Sequence, residues 1–376
     1  MELRITKEAL GTALASVHGA ADARGQVPIL GTVLIKTMDE GKVSLLCSDT
    51  GMVARSLAPC TVAGAGEIAV DVRRLYDLAK AVPDKSEIKI AVDGNALRVN
   101  AGRSRFRLDA LSAADYPRLT PAQDQRVAIS MDSKRLAAML DQVLDAAAVN
   151  DTRIQLNGLL FAIQDRGFWM VGTDGCRMHI AVEPLPDLDQ PPVSAIIPRR
   201  TAVQARRLLG QGGAVTLTLG SKDCQLSCTD GSVLFGNAID ARFPDWSRII
   251  PPKGTPVVVE TRKLQAALNM LLAVPVSTET KTRHLAQCVG LTLEGESLVL
   301  TRGDTGRCEL DARLPSGHPS VPFCVGVNVD FLNTALKSIG SDAEAVDLEY
   351  GSAQSPLVIR PSGKDYPLAV VMPIRE

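Results

Sequence analysis

The 376-residue chain has few aromatic residues: seven Phe, four Tyr and two Trp, 3% of the total. Stacking platforms for single-stranded nucleic acid are built from such side chains, so their scarcity argues against that mode of binding. No run approaches the roughly 18 uninterrupted apolar residues that a membrane span needs, so no membrane partner is expected. The opening "MELRITKEAL" scatters charge without an apolar block and does not read as a signal peptide. The four His (His18, His179, His284 and His318) neither cluster nor stand at ligand spacing with Asp or Glu, which argues against a metal site or His-based acid–base chemistry. There is no Walker-type phosphate loop, dinucleotide fingerprint, helix-turn-helix spacing or zinc finger, and no cofactor is called for. Eight Cys are dispersed singly apart from Cys224 and Cys228. They read as reduced, buried thiols of a cytoplasmic protein. "CQLSC" has no second ligand pair and lies in a strand-like segment, which points away from zinc.

What the chain does have is repetition. "TKEALGTALASV", "DSKRLAAMLDQV" and "TRKLQAALNMLL" each carry apolar residues at i, i+3, i+4 and i+7. These are Leu10, Ala13, Leu14 and Val17; Leu136, Met139, Leu140 and Val143; and Leu264, Ala267, Leu268 and Leu271. Each set makes one apolar stripe on an amphipathic helix. From Leu10 to Leu136 is 126 residues, and from Leu136 to Leu264 is 128. A turn recurs in step: Asp49, Asp174 and Asp304 lie 39, 38 and 40 residues beyond those leucines. Strand-like runs such as "LLFAIQDRGFWMVG" read as hairpins. Second helices follow at "DVRRLYDLAKAV", "PRRTAVQARRLL" and "NVDFLNTALKSI", then further strands ending in "DYPRL", "RFPDW" and "DYPLA". The expected architecture is α+β, with three similar domains at 1–125, 126–254 and 255–376, each packing two helices on antiparallel sheet. "RLTPAQDQ" and "IIPPKGTP" read as linkers.

Charge is patterned although its sum is not: 41 Lys and Arg against 42 Asp and Glu give a net charge of -1. The helices carry Arg73, Arg74 and Lys80, then Lys134 and Arg135, then Arg199, Arg200, Arg206 and Arg207, then Arg262 and Lys263. Any one helix of this kind is ordinarily a solvated face. The pattern over several equivalent helices points to a shared basic surface that binds phosphates without reading bases.

Cys176 follows an Asp-Gly turn and precedes Arg177 in "VGTDGCRMHI". A guanidinium can activate a thiol, but a nucleophile also needs a base. His179 lies three residues on, where strand alternation points it away, and only one of the three turns carries a Cys. No catalytic residue is assigned. A thiol enzyme centred on Cys176 is the lesser alternative.

In order along the chain, "VPILGTVLI" (27–35), "AGRSRF" (101–106), "LNGLLF" (156–161), "TDGCRM" (173–178), "RFPDW" (242–246) and "VVMPIR" (370–375) resemble the bacterial sliding clamp family. Members are the beta subunit of the replicative DNA polymerase III holoenzyme. The resemblance implies a DNA-clamp fold, half of a ring-shaped homodimer that encircles duplex DNA and slides. It places DNA contacts on Arg24, Arg73, Asn150, Arg153 and Arg200. Arg200 and Asn150 stand where familiar members have Lys and Gln. It places the dimer interface on Arg103, Arg105, Phe106 and Leu108, meeting Leu271 and Leu272 of the second copy. It implies a groove for short linear motifs lined by Leu156, Thr173, Gly175, Cys176, Arg177, Met178, Pro244, Arg248, Ile249, Ser355, Val370, Met372, Pro373, Ile374 and Arg375. The implied partners are the polymerase III alpha subunit, the clamp loader, translesion polymerases, mismatch repair proteins and DNA ligase. Cys176 replaces a common His and Ile374 a frequent Met. Those departures fit altered peptide preference or a second clamp copy specialised for repair or inhibitor resistance.

Overall fold

A computed structural model describes residues 1–22, 25, 27–117, 125–274, 287–303, 306–314, 323–340, 342–352 and 355–374. The first repeat runs β1 (Glu2–Thr6), α1 (Lys7–Val17), β2 (Thr32–Met38), β3 (Lys42–Ser48), β4 (Met52–Pro59), β5 (Thr61–Gly64), β6 (Glu67–Asp71), α2 (Val72–Ala81), β7 (Glu87–Asp93), β8 (Ala96–Ala101) and β9 (Ser104–Leu111). The second runs β10 (Arg126–Asp132), α3 (Ser133–Val143), β11 (Gly158–Gln164), β12 (Gly167–Thr173), β13 (Arg177–Pro184), β14 (Val193–Pro198), α4 (Arg199–Leu208), β15 (Ala214–Gly220), β16 (Asp223–Cys228) and β17 (Val233–Asn237). The third runs β18 (Pro256–Glu260), α5 (Thr261–Ala273), β19 (Cys288–Glu294), β20 (Ser297–Arg302), β21 (Gly306–Arg313), β22 (Cys324–Asn328), α6 (Val329–Ile339), β23 (Ala345–Glu349), β24 (Leu357–Pro361) and β25 (Leu368–Val371). Strand–helix–three strands is thus written twice per repeat, with β5 as an extra in the first.

The helices begin where short polar side chains can cap them. Thr6, Asp71, Asp132 and Asn328 accept first-turn amides of α1, α2, α3 and α6. All twelve stripe residues expected on α1, α3 and α5 are buried. The β11–β12 hairpin turns at Asp165 and Arg166, both at positive φ (51° and 55°). Two consecutive left-handed residues suit the right-handed twist of the flanking strands.

Compactness does not follow the repeats. The chain divides into one unit of residues 1–137 and 193–239 and another of 138–192 and 240–376. In the first, the antiparallel order is β10-β15-β16-β17-β4-β3-β2-β6-β9-β8-β7-β1-β5. The last strand of repeat two therefore pairs with β4 of repeat one, through Val233↔Arg55 to Gly236↔Met52. In the second unit the order is β11-β12-β13-β25-β24-β23-β18-β21-β20-β19-β22. There the last strand of repeat three pairs with β13 of repeat two, through Arg177↔Val371 to Ile180↔Leu368. Sheet hydrogen bonding runs from one repeat into the next, so two compact bodies form from three copies.

Strand alternation sorts the second unit's side chains. Ala369 and Val371 enter the core with α5 and α6, whereas Leu368 and Val370 join Met178 and Ile180 in a smaller cluster. His179, between Met178 and Ile180, is completely buried with Nδ1 3.1 Å from the Gln142 carbonyl. Burial, aided by Arg177, pushes its pKa down to about 3. Gly172 is also forced by packing: a Cβ there would lie 2.9 Å from Leu159 Cδ2 and collide with the Val143 carbonyl.

Two outcomes follow from this packing. Gly172→Ala lowers the unfolding free energy by about 1–3 kcal/mol through overpacking, whereas Gly11→Ala in α1, with nothing within 4 Å of the new methyl, leaves it unchanged or higher; urea titrations of both variants read the contrast. The folded state refuses a proton on His179 that the unfolded chain accepts, so its contribution is full above about pH 6.5 and is lost as pH falls toward 3. His179→Asn should remove about 1.4 kcal/mol per pH unit from the acid-side slope of stability, read by urea titration at several pH values below 6.5.

Candidate functional site

The Asp174 turn is built from its own carboxylate. Asp174 Oδ1 accepts the amides of Cys176 (2.9 Å) and Arg177 (3.0 Å), and Oδ2 accepts Arg177 Nε (3.1 Å). Asp49 does the same in repeat one, accepting Gly51 and Met52 amides at 3.0 and 2.8 Å. Asp304 lies outside the described residues. Gly175 sits at φ +90°, a conformation that side chains disfavour. Thr173 Oγ1 donates to the Arg177 carbonyl at 2.7 Å and closes the turn.

The turn and the tail meet. Met372 donates its amide to the Cys176 carbonyl (2.9 Å), Pro373 bridges to Val327, and Ile374 donates to the Gly326 carbonyl (2.8 Å). Met178 and Val370, at 2% and 1% exposure, form a floor. Phe243, Trp246 and Ile250 pack on that floor with Trp169 and Tyr366. The structure therefore gathers Thr173–Met178, the 243–250 segment and Val370–Ile374 about one apolar cluster. Leu156 is buried nearby in sequence to the loop that holds Arg153, Ser355 is half-buried and bonded to Ser352, and Arg375 lies outside the described residues. Gly175, Cys176, Arg248 and Ile249 form the exposed part of the set, with Pro244 and Met372–Ile374 half-buried.

Two side chains that sequence reasoning missed hold Arg177 in place. Its Nη1 donates to Thr334 Oγ1 (2.5 Å), and its guanidinium lies 4.6 Å from the Phe331 ring centre. Both partners are on α6, more than 150 residues away, beyond the reach of any local pattern.

Nucleophilic chemistry finds no support here. Burial, and then Asp174, raise the Cys176 thiol above its ordinary pKa, and Arg153 and Arg177 do not reverse this. A thiolate would need the opposite shift. His179 is sealed on the other side of β13. Among the described residues no group of three or more His, Cys, Asp or Glu is placed to hold a metal ion.

The expected DNA-contact residues are placed as follows. Arg24 is outside the described residues. Arg73 is exposed on α2. Arg200 is exposed but engaged: it pairs with Asp49 and donates to the carbonyls of Gly19 (3.2 Å) and Ala21. Asn150 adopts φ +57° in an exposed loop. Arg153 grips Asp151 through Nε (3.0 Å) and Nη2 (2.8 Å), and Nη2 also donates to the Asp174 carbonyl (3.0 Å). The guanidinium holds the Asp151 carboxyl down at about 2. Asn157 pins Asp151 in turn, accepting its amide (2.8 Å) and donating to its carbonyl (2.7 Å).

Of the expected interface residues, Arg103, Arg105 and Phe106 are exposed and Leu108 is half-buried on β9. Leu271 is buried in its own core, and Leu272 packs against that core. The helical stripe claims Leu271, so the apolar surface of α5 is supplied by Met270, 58% exposed, and Val274 just beyond it.

Comparison with known proteins agrees with this architecture. Residues 1–120 match the model for the DNA polymerase III beta subunit N-terminal domain, and residues 130–245 the model for its central domain. Relatives include beta sliding clamps of Vibrio cholerae (27% identical) and Escherichia coli K12 (26%), each covering all of both chains. Similar solved structures include the Pseudomonas aeruginosa DNA polymerase III subunit beta (TM-score 0.87, 27% identical) and a sliding clamp from Bartonella birtlesii bound to griselimycin (TM-score 0.86, 28% identical), both at full coverage of each chain. The chain belongs to the DNA polymerase III beta subunit family, the bacterial beta sliding clamps.

Proposed function

We propose that two copies of this chain close into a ring around duplex DNA and tether the replicative polymerase to it. The chain is a sliding clamp, a processivity factor and not an enzyme. Holding DNA by encirclement asks only for weak, sequence-blind phosphate contacts, which suits exposed arginines such as Arg73 and Arg153.

One observation carries the closure. Repeats two and three each end in a strand that pairs with the preceding repeat: β17 with β4, and β25 with β13. The equivalent last strand of repeat one is β9, and the equivalent acceptor in repeat three is β21. Among the described residues, β9 meets β6 only at Ala110 and Leu111, and β21 meets β18 only at Ala312 and Arg313. Both strands keep an open edge beyond those pairs, which is an invitation to pairing with another chain. In the proposed junction, Arg103, Arg105, Phe106 and Arg107 on and beside β9 of one copy meet Glu309 and Asp311 on β21 of the other, with Met270 of α5 as apolar cover. Three domains per chain, 1–125, 126–254 and 255–376, then give six repeats around one ring.

The cluster under the Asp174 turn supports a docking site for short linear motifs with Leu or Phe anchors. Met178 and Met372 give it the adaptable side chains that varied peptides need. Its users are the polymerase III alpha subunit, the clamp loader, translesion polymerases, mismatch repair proteins and DNA ligase, in the cytoplasm. No described helix is long and apolar enough to cross a membrane.

Sedimentation at micromolar concentration should give a dimer, and Phe106→Asp a monomer with an unchanged circular dichroism spectrum. Clamp loaded on a circular plasmid should stay bound until the plasmid is linearised. A monomeric wild type, or equal retention on linear and circular DNA, would overturn the reading.

A further inference from the structure

Aromatic residues are scarce in this chain, yet both of its tryptophans, Trp169 and Trp246, stand together, with ring centres 5.6 Å apart. Tyr366 meets Trp169 edge-on, at 5.2 Å and 87°. All three side chains are only half-buried. Large rings left partly in water are the side chains that most often dominate binding to a partner. These rings are also held in place. Trp169 Nε1 donates to the Gln164 carbonyl at 3.3 Å, and a Cβ on Gly167 would lie 3.0 Å from that nitrogen. Gly167 thus leaves the indole its seat on the β11–β12 hairpin. A ring fixed before binding loses little freedom when a ligand arrives.

The aromatic patch continues the cluster under the Asp174 turn. Trp169, Trp246 and Tyr366 pack on the same buried set as Met178 and Val370. Trp246 opens the single 3-10 turn Trp246–Ile249, where residues three apart eclipse, so it shares one side with the exposed Ile249. The strand register measures the separation: Met178 lies opposite Thr173, and Val182 lies opposite Trp169. Four residues of β13 separate those positions, about 13 Å at about 3.3 Å per residue. An extended peptide advances by a similar rise, so a side chain about four residues from one above Met178 arrives at Trp169. The charges at the rim are already matched. Asp245 pairs with Arg248 at 2.8 Å, and Asp365 pairs with Lys253. A neutral ring therefore suits this patch better than a charged side chain.

We propose that Trp169, Trp246 and Tyr366 form a second anchor site for docking peptides, which takes an aromatic side chain about four residues from the Leu-Phe held at the Asp174 turn. The proposal rests on the docking reading above and narrows it. Peptides with both anchors bind this chain most tightly, and peptides with the Leu-Phe alone bind at the turn with lower affinity. The incoming ring packs against the exposed indole faces and edges, the arrangement that the three rings already adopt among themselves.

The test uses the full-length chain and unlabelled peptides that contain Leu-Phe, with Phe or Ala placed four residues before or four residues after it. The two placements cover both directions in which a peptide can run. By calorimetry, the Phe peptide of one placement should bind wild type about tenfold more tightly than its Ala counterpart. In Trp169→Leu and in Tyr366→Leu that ratio should fall below about twofold, whatever the variants do to binding as a whole. Because the only two tryptophans lie in the site, intrinsic emission reads it directly. The preferred Phe peptide should move the emission of wild type to shorter wavelength more than its Ala counterpart does. Equal affinities for Phe and Ala peptides in both placements, or a preference that survives in both variants, overturns the second anchor alone. Wild type that binds none of the peptides overturns the docking reading, and the second anchor with it.

Discussion

Pairing of a repeat's last strand with the repeat before it is the constraint on which the rest depends. It occurs at β17–β4 and again at β25–β13, each time extending an antiparallel sheet without a break. An open strand edge is a template for further pairing, so the repeat chemistry that makes two junctions leaves β9 and β21 available for a third. In the proposed ring, that third junction belongs to a second copy. The same continuity explains why the compact bodies contain one and a half repeats each, cutting through the middle copy.

At both junctions an aspartate turn meets the second helix of the following repeat through an arginine. Asp49 pairs with Arg200 of α4, and Asp174 holds Arg177, which reaches Thr334 of α6. The arginine comes from the helix in one case and from the strand in the other, so the contact is kept while its donor moves. Arginines in this protein therefore join one repeat to the next. Arg200 spends its exposed guanidinium on Asp49 and two carbonyls, as Arg153 spends its own on Asp151 and the Asp174 carbonyl.

Much of this was legible in the chain. The i, i+3, i+4, i+7 stripes placed the buried faces of α1, α3 and α5, since burial of a helix face is a local, periodic property. The Asp49 and Asp174 turns were legible because an Asx turn is made by residues two and three positions apart. Leu271 carries two expectations: the stripe places it in the core, where packing of α5 puts it, and resemblance places it at the interface of the proposed ring. Thr334, Phe331 and the Asp174 carbonyl were not legible as partners of Arg177 and Arg153. Nothing in local spacing reports which helix will lie beside a turn, or that a backbone oxygen will be the acceptor.

The most direct measurement of the central claim is amide hydrogen exchange on β9 and β21 as a function of protein concentration. If the third junction forms between chains, amides along 104–109 and 306–311 should be protected at micromolar concentration and should lose that protection together on dilution, while β4 and β13 stay protected throughout. Fast exchange of both strands at every concentration, or protection that ignores dilution down to the monomer, would contradict the account.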